Sequence, residues 1–134
     1  MPSATPSDLE PVPLFGSLGE ADLAKIAPWF EVRDAGPGER LIGEGATGEL
    51  FFVISEGDVA VTGLGHRIAS LGPGEFFGEI ALLGYRQHIA TVTTSSQARI
   101  LVLSKEDFDH LRASYPDVAA EIGAVMQRRL EQLS

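Results

Sequence analysis

The feature that most constrains this chain is a series of short apolar runs, separated by glycine-containing turns, over residues 29–104. Runs such as residues 50–54 and 99–103 have strand length and are rich in β-branched and aromatic residues. Turn signals such as Gly36-Pro37-Gly38 and Gly72-Pro73-Gly74 lie between them. This pattern of short apolar runs and turns predicts a mainly β fold, an antiparallel sandwich or jelly roll. The predicted strands cover residues 30–32, 40–42, 50–54, 59–62, 67–71, 89–94 and 99–103.

Helical signals flank the β region on both sides. Ser17 with Glu20 three residues later predicts a capped helix over residues 17–27, which Pro28 ends. Ser104 is the expected cap of a helix that runs to about Ser114. Pro116 then suits the first turn of a last helix, which extends to Leu133. We expect the β region over about residues 29–104, with C-terminal helices over about residues 105–133.

Composition limits the number of domains and the class of partner. With 134 residues and no Cys, the chain has room for one domain, over residues 14–134, that needs no disulfide framework. A formal charge of −9 argues against direct nucleic acid binding, which depends on Lys and Arg. The apolar runs are too short to span a membrane. Residues 1–13, rich in Pro and Ser and without a basic start, predict a flexible segment and a cytoplasmic protein.

One segment interrupts the β pattern. Gly78 and Gly84 bracket five residues that favour a short helix inside an otherwise β region. The first amides of such a helix lack partners, and a glycine lets a ligand approach the backbone closely, so the segment could bind an anion. The alternative is a helical turn that only plugs one end of the β-roll.

Four segments of the chain resemble the cyclic nucleotide-binding domain family. They are residues 38–42 with Gly45, residues 48–61, residues 71–83 and residues 90–92. Residues 71–83, Leu-Gly-Pro-Gly-Glu-Phe-Phe-Gly-Glu-Ile-Ala-Leu-Leu, match the phosphate-binding cassette of that family. The resemblance covers about residues 14–133. It implies a double-stranded β-helix (a jelly-roll β-roll) with an N-terminal helix, a short cassette helix and two C-terminal helices.

The resemblance also implies roles for individual residues of the cassette. The backbone of Ile80 and Ala81 would donate to phosphate oxygens, Gly78 would let the ligand approach, and Glu79 would accept from the ribose 2′-OH. Val61 and Ile68 match apolar positions that flank the purine, and both also suit a strand core. Ile89 stands where some members carry a Ser or Thr hydroxyl, so cyclic AMP is favoured over cyclic GMP as the ligand.

The chain departs from the family at the phosphate-binding arginine. Binding members carry a Pro-Arg pair before the Ala-Thr-Val strand, and here Gln87-His88 occupies those positions. A histidine is mostly neutral at pH 7 and lacks the planar fork of Arg. Arg86 could substitute from the loop, or His88 could take up a proton when phosphate arrives. We expect weak binding of a cyclic nucleotide.

Two other interpretations compete with the sensor. A β-roll can also hold a metal enzyme, but His66, His88 and His110 do not form a His-x-His pair, so we expect no catalytic residue, no metal and no cofactor. A degenerate module would keep the fold for docking or dimerisation and bind no nucleotide. The intact cassette favours the sensor, whereas Gln87-His88 favours the degenerate form.

The last predicted helix carries an apolar stripe at three- and four-residue steps. Its members are Val118, Ile122, Val125, Met126, Leu130 and Leu133, while Glu121, Arg128, Arg129 and Glu131 fall mainly off it. Such a stripe must be covered. Either the helix closes over the ligand pocket of its own β-roll as a lid, or it pairs in parallel with a second copy, as regulators of the family do. We favour the homodimer because the stripe continues so far along the helix.

Overall fold

The apolar runs of the sequence pair into two antiparallel sheets in a computed structural model of the chain, which describes residues 2–63 and 65–132. The strands are β1 (Glu31–Ala35), β2 (Arg40–Ile42), β3 (Leu50–Glu56), β4 (Val59–Gly63), β5 (His66–Leu71), β6 (Phe76–Phe77), β7 (Thr91–Thr94) and β8 (Ala98–Ser104). One sheet has the order β1-β8-β3-β6 and the other the order β2-β7-β4-β5. The predicted mainly β jelly roll with flanking helices is confirmed.

The two central strands of the first sheet explain the continuous apolar runs in the sequence. β3 pairs with β8, with Phe52 opposite Val102 and Val53 opposite Leu101. Successive side chains point to opposite faces of a sheet, so each strand contributes to two cores. The core between the sheets holds Phe52, Ile54, Ile100 and Val102. The core between this sheet and the helices holds Phe51, Val53, Leu101 and Leu103.

Four helices and two short turns form the layer on the first sheet. They are α1 (Pro6–Leu9), α2 (Glu20–Ile26), α3 (Lys105–Ser114) and α4 (Pro116–Gln132), with single 3-10 turns at Pro13–Phe15 and Ala27–Trp29. As predicted, Ser104 caps α3, because its hydroxyl accepts from the Asp107 amide at 3.2 Å. Pro116 begins α4, also as predicted. The predicted end of this helix at Leu133 lies outside the described residues.

The expected start of α2 was wrong. The helix begins at Glu20 with Gly19 as its N-cap, and no side chain caps it. The Leu18 amide instead donates to the Phe15 carbonyl at 3.0 Å, which continues the turn that precedes the helix. Ser17 therefore lies in that turn and cannot serve as the predicted cap.

The sequence analysis missed β6. Phe76 and Phe77 lie in the cassette, where no strand was predicted, yet they pair with β3. The Phe77 ring stacks on Phe52 with centroids 4.8 Å apart and planes 7° apart. A strand of only two residues has no alternation to detect in a sequence, so tertiary packing determines it.

Residues 2–13, part of the segment predicted to be flexible, make specific contacts with the first sheet and its helical layer. The Val32 amide donates to the Pro2 carbonyl at 2.8 Å, so the described part of this segment lies along the edge of β1. Leu9 is fully buried, and Arg99 donates to Asp8 at 3.2 Å. Although the segment is rich in Pro and Ser, the few apolar residues described in it are buried against the rest of the chain. Covering an open sheet edge also protects it from pairing with another chain.

Replacing Leu9 by Ala should lower the free energy of unfolding by about 2–5 kcal/mol, because it leaves a cavity beneath α1. Ser7→Ala changes an exposed position on the same helix and should shift that free energy by less than about 0.5 kcal/mol. Urea unfolding measures both variants. Equal, small effects at the two positions would show that the segment does not pack as described.

Candidate ligand-binding site

A cavity of about 500 Å³ lies between the second sheet, the cassette and α4. It brings together most of the residues that the sequence analysis selected, namely Val61, Ile68, Gly78, Glu79, Ile80, Ala81 and His88. Arg86 is not among the lining residues. A further wall is formed by Val125, Arg128, Arg129 and Gln132 of α4. This agrees with the predicted alternative of a lid, although none of the four was a predicted site residue. This cavity is the candidate site.

Gly78 forms the corner between β6 and the helical part of the cassette. Its φ is positive, at 95°, and a Cβ there would lie 2.8 Å from the Leu50 carbonyl oxygen. Both the backbone conformation and the close approach of β3 therefore require glycine. The corner sets Glu79, Ile80 and Ala81 along the cavity wall.

The helical part of the cassette begins directly after Gly78, as predicted, but runs past Gly84. Residues 79 and 80 are helical, and Ala81–Tyr85 continue as a wider turn, closed by the Arg86 amide, which donates to the Ala81 carbonyl at 2.9 Å. Gly84 lies inside the turn with φ of 130° rather than ending it. Gly48 leaves no room for a side chain against Ala81, which fixes the cassette on the loop before β3.

Glu79 is a buried carboxylate on the cavity wall. Its exposed fraction is 1%, and Oε1 accepts from Arg129 Nη1 at 2.6 Å. Oε2 has no hydrogen-bond partner within the described residues. Burial raises the pKa of Glu79 above its usual value, and this effect outweighs the opposing attraction of Arg129. Oε2 is thus a buried acceptor that no described residue satisfies.

Arg129 reaches the site from α4 and was missed by the sequence analysis, which placed it off the apolar stripe. It also donates to the Phe76 carbonyl at 2.6 Å, and its guanidinium carbon lies 5.2 Å from the centroid of the Phe76 ring. Arg129 follows Val125 by four residues and Ile122 by seven, so it shares their face of the helix. This spacing was the signal that could have identified it.

His88 lies on the cavity beside the cassette. Its backbone is fixed at both ends, because the His88 amide donates to Ala46 and its carbonyl accepts from Gly45, each at 2.8 Å. The imidazole is half-buried, and burial lowers the pKa of His88, so the ring is neutral at pH 7. His88 also borders a second cavity of about 170 Å³, which Glu49 lines as well.

Arg86, the alternative to His88, does not line the cavity. It is exposed and has a φ of 63°, in the left-handed region. Its carbonyl accepts from the Gly48 amide at 2.7 Å, which ties this residue to the loop before β3. Of the two cations proposed to replace the missing guanidinium, His88 alone lines the cavity within the described residues.

The two predicted base-flanking residues lie on the sheet side of the cavity. Val61 on β4 is half-buried and packs against the core between the sheets, so it serves the core as well. Ile68 on β5 is 38% exposed, which places it at the rim. Both positions present an apolar surface to anything that occupies the cavity.

The apolar stripe of α4 is covered in part by this chain itself. Val118 and Ile122 are fully buried in the core beneath the first sheet, and Val125 packs against that core. Beyond them, Arg129 and Gln132 close one side of the cavity. The structure therefore shows the lid arrangement, while Met126 and Leu130 are half-buried.

No group of His, Asp and Glu side chains in residues 2–63 and 65–132 is placed to hold a metal ion. No helix in the same ranges is long and apolar enough to cross a membrane.

Comparison with known proteins places the chain among ligand-sensing domains. The family described as cyclic nucleotide-binding domain matches residues 32–115, more than half of the chain. A cyclic nucleotide-gated potassium channel of Rhizobium etli is 37% identical over 111 residues, which are 83% of this chain and 31% of that protein. The cAMP-dependent protein kinase regulatory subunit of Yarrowia lipolytica is 32% identical over 118 residues, 81% of this chain and 32% of that protein. The chain thus spans about a third of the length of these curated relatives.

A solved structure gives the same result. The Thermus thermophilus catabolite activator protein superposes with a TM-score of 0.79 at 30% identity, over 90% of this chain and 59% of that one. The shared region is the jelly roll with its flanking helices.

Gly84→Ala should cost about 1–2 kcal/mol of unfolding free energy, because φ is positive but the space is open. Gly78→Ala should cost about 1–3 kcal/mol more, since its Cβ also meets the Leu50 carbonyl. Thermal unfolding of the two variants measures the difference. Equal losses would mean that the cassette can move away from β3 without penalty.

Proposed function

The chain belongs to the cyclic nucleotide-binding domain family, and we propose that it is a sensor that binds cyclic AMP in the cavity beneath α4 and signals through that helix. The observation that carries the proposal is Glu79 Oε2, a buried carboxylate oxygen without a partner in the described residues, on the wall of this cavity. A buried acceptor left unpaired is costly, so a ligand that donates to it gains affinity.

The proposed pose follows the order of groups along the cavity. The ribose 2′-OH donates to Glu79 Oε2, and the phosphate lies on the amides of Ile80 and Ala81 at the start of the helical turn. The purine lies between the apolar side chains of Val61 and Ile68. Ile89 also lines the cavity and offers no hydroxyl, so cyclic AMP is preferred to cyclic GMP.

The charged side chains that line the cavity make the proposed affinity for an anionic nucleotide weak. Arg129 already faces Glu79, and Arg128 lies 3.9 Å from Glu121. Among the described lining residues, these two guanidiniums are thus paired with carboxylates of the same chain. An anionic ligand meets no permanent unpaired cation at the cassette, and the acidic chain repels it further.

Signalling through α4 is proposed because the ligand and the helix share one carboxylate. Glu79 accepts from Arg129 with one oxygen and would accept from the ribose with the other. A ligand that fixes Glu79 therefore also fixes Arg129, seven residues beyond the buried Ile122. The proposal includes no catalytic step, and it places the protein in the cytoplasm, as the sequence predicts.

The second candidate is a degenerate domain that binds no nucleotide and serves docking or dimerisation. The observation that favours it is the same pairing of Arg128 and Arg129, together with a neutral His88 where the family carries Arg. The two candidates differ in one measurable property, the heat of cyclic nucleotide binding.

Calorimetric titration with cyclic AMP should give a dissociation constant in the micromolar range or weaker. His88→Arg should strengthen binding about tenfold or more, because it supplies a permanent bidentate cation. Glu79→Gln should weaken it about tenfold by removing a charge-assisted hydrogen bond. Cyclic GMP should bind less tightly than cyclic AMP. Absence of heat with both nucleotides, in wild type and His88→Arg alike, would select the degenerate domain.

We also propose a homodimer through α4, on the face next to the one that covers the cavity. Ala119, Gly123 and Met126 follow each other at steps of four and three residues and are each partly exposed. A Cβ added at Gly123 would meet nothing within 4 Å, so a second helix has room to approach there. Ile122 is unsuitable for testing the dimer because it belongs to the core of this chain.

Met126→Glu should shift the light-scattering mass from dimer to monomer, since it places a charge in the proposed helix pair. Gln127→Glu adds the same charge one residue further, at an exposed position, and should leave the dimer intact. A wild-type chain that is monomeric at high protein concentration would contradict the proposed dimer.

A further inference from the structure

The permanent cations among the described residues that line the cavity are two arginines on one side of it. Arg128 and Arg129 both lie on α4 and both face carboxylates. The cassette and the strand after it form another side of the cavity. Among the described residues that line this side, His88 alone can become cationic. The source of positive charge at the cassette is therefore a titratable ring.

The surroundings of His88 suit a ring that changes its protonation state. Hydrogen bonds of its backbone to Ala46 and Gly45, each 2.8 Å, hold it next to the cavity. His88 lines both this cavity and the smaller cavity of about 170 Å³. Burial lowers the pKa of His88, and within the described residues no ion pair holds the ring in either state.

We propose that cyclic nucleotide binding protonates His88 and that the resulting imidazolium neutralises the ligand phosphate, so that the domain takes up a proton with its ligand. The proposal rests on the proposed function, because the anion that raises the basicity of the ring is the ligand itself. His88 would then act as a conditional replacement for a permanent guanidinium.

The sign of the effect follows from linkage. Without ligand, burial keeps the pKa of His88 below its usual value of about 6.5. With ligand, an adjacent phosphate favours the charged form and raises that pKa. Between the two pKa values, affinity falls by up to about tenfold for each unit by which the pH rises, and it levels off outside that window.

Other charged groups of the site could contribute to the same profile, so they must be separated from His88. The groups that line the two cavities with His88 are Glu49 before β3, Glu75 and Glu79 of the cassette, and Glu121, Arg128 and Arg129 of α4. Glu79 has a raised pKa and is the strongest competitor. The contribution of Glu79 to the pH profile persists when His88 is substituted. It can therefore be measured in the His88 variants and subtracted from the wild-type profile.

The test is calorimetric titration of the full chain with cyclic AMP near neutral pH, in two buffers that differ in ionisation enthalpy. The difference in observed heat gives the number of protons taken up. Wild type should take up close to one proton per ligand at about pH 7, and its affinity should fall several-fold between about pH 6.5 and about pH 7.5.

Three variants make the result specific. His88→Arg carries a fixed charge and should bind more tightly with no uptake by this residue. His88→Gln should bind more weakly, with the same loss of uptake. His110→Gln is the matched control, because His110 lies on α3 against the Trp29 ring, 4.9 Å between centroids, and is not part of the cavity. It should reproduce the wild-type uptake.

The possible failures are distinct. Binding of cyclic AMP by wild type without proton uptake, or with uptake that persists in His88→Arg and His88→Gln, overturns the role of His88 and leaves the sensor function intact. Absence of binding in both wild type and His88→Arg overturns the sensor function itself.

Discussion

The contact on which the candidate site depends is the ion pair between Glu79 and Arg129. Burial of a carboxylate to 1% exposure is tolerable because a guanidinium lies 2.6 Å away. Arg129 can reach it only because α4 is fixed on the core by Val118 and Ile122, which are fully buried. The pair also leaves the second carboxylate oxygen without a partner among the described residues. Helix docking and the wall of the cavity are therefore coupled through a single side chain.

The same pair determines the charge balance that a ligand meets. Arg129 neutralises Glu79, so a phosphate beside the cassette faces less repulsion than the acidic chain alone would impose. Two of its N–H groups donate to Glu79 and to the Phe76 carbonyl, which holds the guanidinium on the cassette. In the complex that we propose, His88 is the counter-ion of the phosphate, although burial keeps it neutral without a ligand. A permanent Arg at that position would remove the proposed dependence on pH.

The sequence predicted features that depend on local pattern. The apolar runs of β3 and β8, the Ser104 cap of α3 and the Pro116 start of α4 all rely on neighbours within a few residues. The features that it missed depend on distant contacts. β6 exists because it pairs with β3, and the described part of the N-terminal segment hydrogen-bonds to the edge of β1. Most predicted site residues line one cavity, whereas Arg86 does not.

Arg129 shows why the terminal helix can have two functions at once. Successive residues of a helix are turned by about a quarter of a circle from each other, so neighbouring stripes face different surroundings. The stripe through Ile122, Val125 and Arg129 faces the core and the cavity, whereas the next stripe, through Gly123 and Met126, is only partly covered. In the dimer that we propose, a second copy would contact the partly covered stripe, while the neighbouring stripe bounds the cavity. The proposed route from the cavity to a partner of α4 therefore runs along the helix and requires no rearrangement of the β-roll.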